Sequence, residues 1–196
     1  SDRDPEYQAV SNRPDAAILS YPVITSGEYA HRDSMVALLG SEPTEKELEY
    51  MSLEKHVTAD TPPCFLWQTV TDATVPVENS YLFAEACRRN GVCFAHHVFS
   101  EGVHGMSIAT EQWLEREFGV PYTLEQIRLL ADAVSQGRTS YPEEKGAEIL
   151  ADFGLDGRKK EKWTPDEKNA IRNTLKEVGI WPRLAEDWLS KIWQKN

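Results

Sequence analysis

"PPCFLWQTVTDATVPVENSYLFAEACRRNGVCFAHHVF", residues 62–99, decides how the rest of the chain is read. It opens on two prolines followed by a short, almost continuous apolar run. Prolines confined to the start of such a run are compatible with a strand, and its length and continuity suit one buried on both faces. In the middle, Leu82, Phe83, Ala86 and Cys87 recur at helical spacing, and Gly91 stands where a C-cap glycine belongs. "VCFAHHVF" (92–99) is a further apolar run. Strand, helix and strand in that order form a crossover unit, which predicts a parallel sheet.

Upstream, "AAILSYPVI" (16–24), bounded by Arg-Pro-Asp and Thr-Ser-Gly-Glu, reads as another strand buried on both faces. The segment between it and Cys64 is too long for a plain connection. Thr44 with Glu47 forms a capping-box pattern inside it, so at least one short helix is expected there. Such an excursion above the carboxyl ends of parallel strands either covers a ligand crevice or decorates the surface.

After residue 106 the pattern is helical only. Leu124, Ile127, Leu130, Ala131 and Val134 form one stripe, opened by Thr123 and Gln126. Thr164, Pro165 and Glu167 supply a cap, a first-turn proline and a capping-box acid. Trp181, Leu184, Ala185, Trp188, Leu189, Ile192 and Trp193 follow the i, i+3, i+4 rule, which predicts a helix docked on a core. "DGRKKEKW" (156–163) reads as an exposed linker. The expected division is 1–118 for the α/β part, 119–163 for a helical insertion and linker, and 164–196 for closing helices packed on the α/β part.

Composition narrows the function classes. At 196 residues with 40% hydrophobic content and six tryptophans, the chain can bury a real core. A formal charge of −11 argues against nucleic acid or an anionic membrane as partner. No apolar run approaches the ~18 residues of a membrane span, and the polar N-terminus lacks an export pattern. Cys64, Cys87 and Cys93 lie in apolar settings without metal spacing, so buried, reduced thiols and a cytoplasmic, reducing location are expected. No cofactor or metal is implied.

In a parallel α/β sheet, ligand and catalytic groups gather on loops leaving the carboxyl ends of strands. Asp72 stands just past one such end and His104 just past the next. On neighbouring strands, about 5 Å apart, the two side chains can meet. A carboxylate accepting from one imidazole nitrogen fixes the tautomer and leaves the other nitrogen free as a base. Gly102 and Gly105 would let the backbone turn tightly around that ring. Ser107 is near in sequence but lacks a strand-to-helix elbow and prearranged oxyanion donors, which argues against it as a nucleophile. His96 and His97 fall within a strand and point to opposite faces, as packing residues do. His31 and Ser34 sit in a loop after the first strand, and the residues alone assign them no role.

The stretches "RPDAAILSYPVIT" (13–25), "LLGSEPTEKELEYMSLEKHVTADTPPCFLWQTVTDATVPVENSYLFAEACRRNGV" (38–92) and "HVFSEGVHGMSIA" (97–109) closely resemble the C-terminal half of α/β-hydrolase esterases of the bacterial acetyl-xylan-esterase-like branch. The specific motifs are Asp followed by Val-Pro after one strand and His-Gly after the next. The resemblance covers roughly residues 12–109, and "WPRLAEDWL" (181–189) is similar to the family's closing helix; residues 119–178 match nothing in it. It implies a partial α/β-hydrolase fold, a parallel sheet of three to four strands with flanking helices and a helical C-terminal region. It also implies the catalytic order Ser, Asp, His, with Asp72 as acid and His104 as base. The Gly-x-Ser-x-Gly elbow and the oxyanion-hole His-Gly-Gly stretch expected upstream do not occur in the sequence. The first strand resembles the family's sixth, so the chain is expected to begin just after the nucleophile helix.

The function expected is serine-type hydrolysis of short acyl esters, on a carbohydrate or similar polar alcohol, in a longer protein. This chain alone is expected to be inactive. A sheet lacking neighbours exposes an edge, so homodimerisation through that edge, or its cover by the unmatched helices, is also expected. The alternatives are a non-catalytic interaction module derived from a hydrolase and a fragment of a prolyl-oligopeptidase-like serine peptidase, which shares Asp-then-His near its C-terminus.

Overall fold

The computed structural model describes residues 5–115, 121–139, 141–156 and 163–194. In chain order the elements are α1 (Pro5–Gln8), β1 (Ala17–Ser20), α2 (Arg32–Leu39), α3 (Glu45–Tyr50), a 3-10 turn (Leu53–Lys55), β2 (Cys64–Thr69), α4 (Glu78–Arg89), β3 (Phe94–Phe99), α5 (Glu111–Leu114), α6 (Pro121–Ser135), α7 (Lys145–Asp152), α8 (Pro165–Val178) and α9 (Trp181–Trp193). They form two compact units, 1–109 with 174–196, and 110–173.

The first unit holds an all-parallel sheet in the order β1-β2-β3. Residue by residue, Ala17 to Ser20 lie beside Cys64 to Trp67, and Cys64 to Thr69 beside Phe94 to Phe99. Only β2 is buried along its whole length, whereas β1 and most of β3 are half-buried, because each flanks the sheet on one side. The expectation of both-face burial therefore holds for the central strand and not for its neighbours.

The two faces of β2 carry different cores. Cys64 and Leu66 point into a cluster with Ile24, Val57, Phe83, Ala86, Cys87 and Val92, formed largely by α4. Phe65 and Trp67 point the other way, against Trp188 (ring centroids 5.9 Å) and Trp181 (5.2 Å, stacked) of α9. The period-2 alternation of a strand produces both contacts. Thus the C-terminal helix docks through Trp181 and Trp188, while Trp193, at the end of the same stripe, stays 61% exposed.

Local signals in the sequence appear as geometry. Thr44 and Glu47 make both halves of a capping box at α3, and Thr164 and Glu167 repeat it at α8. Gly91 adopts φ +68° just beyond α4, a left-handed conformation that glycine takes without strain. The strand expected over 16–24 ends at Ser20, because Tyr21 turns into φ +40° and Pro22 follows. Cys64 and Cys87 are buried, but Cys93 is exposed, at the turn that feeds β3.

In the second unit, α6 begins at Pro121, ahead of the cap expected at Thr123. Ala131 and Val134 of its stripe are buried, while Leu130 remains 45% exposed. Helix α7 meets α6 at Gly146, where an added Cβ would come within 2.6 Å of the Ala131 carbonyl oxygen. Arg172 bridges Glu111 and Glu115 at 3.0 and 2.7 Å, and Lys168 pairs with Glu115 at 3.0 Å. Most of the expected linker (156–163) lies outside the described residues.

Candidate active site

Asp72 stands three residues beyond β2 and His104 five residues beyond β3, at the same end of adjacent parallel strands. The structure brings them together: His104 Nδ1 lies 2.8 Å from Asp72 Oδ2. The Asp72 side chain is 1% exposed and that of His104 is 30% exposed. The carboxylate is therefore fully enclosed, while the imidazole has one side open to solvent.

Each oxygen of Asp72 has its own task. Oδ1 accepts the backbone N–H groups of Thr74 and Val75, both at 2.9 Å, in an Asx-type turn that fixes χ1 and χ2. Oδ2 accepts from His104 Nδ1–H and, at 3.5 Å, from Gln68 Nε2. Gln68 is completely buried and anchored by a bond from Nε2 to the Val75 carbonyl at 2.6 Å. With Nδ1 carrying the proton, Nε2 keeps its lone pair, and no hydrogen bond to a described residue occupies it.

The His104 loop is tied to the Asp72 loop through Gly102. The Thr71 hydroxyl accepts the Gly102 N–H at 2.9 Å and donates to the Gly102 carbonyl at 3.0 Å, and Thr69 Oγ1 donates to the same carbonyl at 3.0 Å. Gly102 sits at φ +156°, and a Cβ there would lie 2.6 Å from Thr69 Cγ2 and 2.7 Å from Met106 Sδ. Only a residue without a side chain permits this approach. The rim is secured by Asn79, which is wholly buried. Its Oδ1 accepts from Ile24 and Thr25 N–H (2.9 and 3.0 Å), and its Nδ2 donates to the Tyr29 and Pro76 carbonyls (2.8 and 3.0 Å).

The other residues singled out in the sequence divide cleanly. His96 donates Nε2–H to Ser80 Oγ at 3.0 Å on the α4 face, and His97 packs on Phe65 at 5.0 Å on the opposite face. Burial, with His97 adjacent, holds His96 below the ordinary imidazole range, and burial does the same to His97. His31 Nδ1 and Ser34 Oγ pair with each other at 2.8 Å. Ser107 has a left-handed backbone, φ +53°, but no strand runs into it and its hydroxyl makes no hydrogen bond to the imidazole. Burial drives the Cys64 thiol up to about 12, so it is inert as a nucleophile. Among the described residues no three His, Cys, Asp or Glu side chains are grouped to hold a metal ion, and no helix is long and apolar enough to cross a membrane. Gln68, Thr71 and Tyr21, which all touch this site or its loop, carry no signal in the linear sequence.

A parallel sheet with helices on both faces and an Asp–His pair at its carboxyl edge is the architecture of an α/β hydrolase. The chain belongs to the prolyl oligopeptidase family, whose description matches residues 8–122. It is 54% identical over 125 residues to endo-1,4-β-xylanase B of Butyrivibrio fibrisolvens, covering 64% of this chain and 20% of that protein. Among solved structures, an acetyl ester-xyloside bifunctional hydrolase from Caldicellulosiruptor lactoaceticus matches with a TM-score of 0.53 at 44% identity, covering 57% of this chain and 43% of that one. A sugar hydrolase from Lactococcus lactis matches half of this chain and 38% of that one at 32% identity, with a TM-score of 0.44. The chain thus spans a fifth of the xylanase and less than half of the solved hydrolases.

Proposed function

We propose that this chain is the acid–base half of a serine-type ester hydrolase acting on short acyl esters of carbohydrates. The observation that carries the reading is the 2.8 Å bond from His104 Nδ1 to the enclosed Asp72 carboxylate, with Nε2 hydrogen-bonded to no described residue. The likeness to an acetyl ester-xyloside hydrolase supports the ester and carbohydrate part.

In this reading a serine outside the sequence attacks the acyl carbonyl, and its proton passes to His104 Nε2. Asp72 holds the ring in place and stabilises the imidazolium. As the tetrahedral intermediate collapses, the same proton moves to the departing sugar oxygen, leaving an acyl-serine. Water then attacks the acyl group, again giving its proton to Nε2, and the carboxylic acid leaves with serine regenerated. Asp72 and His104 are the catalytic residues, and the serine is assigned elsewhere because the 196 residues contain no Gly-x-Ser-x-Gly elbow. A cytoplasmic setting, suggested by the three free thiols, and a dimer paired through the free edge of β1 belong to the same proposal.

The family match favours one second reading, in which the scissile bond is a peptide rather than an ester. The test is hydrolysis of p-nitrophenyl acetate and of peptide p-nitroanilides by this chain and by a chain extended with the upstream segment of the xylanase relative. The expected result is no turnover from the chain alone. The extended chain should turn over the acetate, losing about three to four orders of magnitude in His104→Ala and Asp72→Asn. Turnover of the anilide alone would replace the ester reading, and turnover by the unextended chain would require a nucleophile within it.

A further inference from the structure

We propose that Tyr21 and Trp181, joined through Trp67, are positioning residues that hold the His104 imidazole against Asp72. The proposal deepens the acid–base reading of that pair and rests on it. Asp72 fixes one nitrogen of the imidazole, but one hydrogen bond leaves the ring free to tilt about that contact. The Tyr21 ring supplies a second contact, 4.9 Å from the imidazole centroid at an interplanar angle of 69°.

Tyr21 reaches that place through an unusual backbone. It lies just beyond β1 at φ +40°, a conformation that ring-bearing L residues rarely adopt. Its N–H donates to the Trp67 carbonyl at 2.8 Å, prolonging the β1–β2 ladder by one bond. Its ring meets Trp67 edge to face, 5.0 Å between centroids and 87° between planes. Trp67 is 1% exposed and is itself pinned, its Nε1–H donating to Ser20 Oγ at 2.8 Å. The surrounding packing therefore dictates where the Tyr21 ring goes.

The same tryptophan leads back to the histidine loop from the other side. Trp67 stacks on Trp181 of α9 at 5.2 Å and 21°, and Trp181 Nε1–H donates to the Ser107 carbonyl at 2.8 Å. Ser107, three residues after His104, is one of the left-handed residues of that loop, with Gly105 and Ala109. The contacts run from His104 through Tyr21, Trp67 and Trp181 to Ser107, and the chain itself closes the circuit. A helix from the far end of the sequence thus sets the loop, and the strained tyrosine sets the ring.

The test reads the imidazole directly and needs no turnover. The whole chain, labelled with 15N-histidine, is examined by NMR at a pH where the ring is neutral, for the ratio of Nδ1–H to Nε2–H tautomers of His104. Three variants are compared. Tyr21→Gly removes the ring where the backbone already favours glycine, Trp181→Phe keeps a stacking ring but loses the N–H, and Tyr21→Phe keeps the ring and should restore the native ratio. An aromatic contact of this kind predicts a fall of about two- to tenfold in the ratio for Tyr21→Gly. Trp181→Phe should lower the ratio in the same direction.

A native ratio in both folded variants would overturn the proposal. If Tyr21→Gly does not fold, Trp181→Phe decides alone, and an unchanged ratio there overturns it. A wild-type chain without the Nδ1–H tautomer would instead refute the Asp72–His104 pairing, which Asp72→Asn checks separately.

Discussion

Replacing Asn79 by alanine should weaken this fold strongly. The side chain is wholly buried and uses all four of its hydrogen-bonding positions. Alanine leaves the N–H groups of Ile24 and Thr25 without an acceptor, and both residues are at most 3% exposed. A buried donor stripped of its partner costs about 1–3 kcal/mol, so two of them cost about 2–6 kcal/mol. Against a total stability of about 5–15 kcal/mol this is a large fraction. Urea unfolding followed by circular dichroism measures it.

Asn79→Asp separates the two halves of the network. The aspartate keeps an acceptor for Ile24 and Thr25 but sets an oxygen against the Tyr29 and Pro76 carbonyls; only its protonated form donates, and its single O–H serves one of the two. Its pKa must rise on folding above the unfolded value of about 3.9. Its stabilising contribution is then complete below that value and is lost as pH rises through the folded one. The variant should therefore be most stable below about pH 4, still short of the wild type by the one carbonyl left without a donor, and fall towards Asn79→Ala near pH ~7. A loss under about 1 kcal/mol for alanine, or a pH-independent aspartate, would refute this account of how the loop at 24–29 is held.

Three further outcomes are expected. Gly102→Ala should cost about 1–3 kcal/mol, because its Cβ must displace Thr69 or Met106, and NMR should show the Asp72–His104 bond disturbed with it. Leu66→Ala, at the fully buried centre of β2, should cost about 2–5 kcal/mol by chemical denaturation. His96 is held low by burial first and by His97 second, so the unfolded chain takes up its proton at a higher pH than the folded one. The stability from keeping it neutral is whole above the unfolded value near 6.5 and is lost as pH falls through the folded value. His96→Gln should accordingly flatten the decline in melting temperature between about pH 7 and pH 5; an unaltered slope would point to other groups.

Much of this molecule is legible one segment at a time. The crossover unit over 62–99, the capping boxes at Thr44 and Thr164, the glycine beyond α4 and the docking stripe of α9 are all local patterns, and local patterns are set by side-chain periodicity and by backbone groups that must find partners nearby. The placing of Asp72 and His104 also follows from order alone, since a parallel sheet puts successive strand ends on one side. Tertiary structure decided the rest. Nothing near Tyr21 in the sequence shows that its ring lies against an imidazole, although Pro22 beside it is a local reason for the strand to stop short of residue 24. The place of the ring depends on Trp67, a residue of another strand. The bond from Trp181 to Ser107 spans 74 residues, and the grip of Thr71 on Gly102 crosses from one loop to the next. Such contacts leave no period in the sequence because each joins two distant positions only once, and only the folded chain brings them within reach.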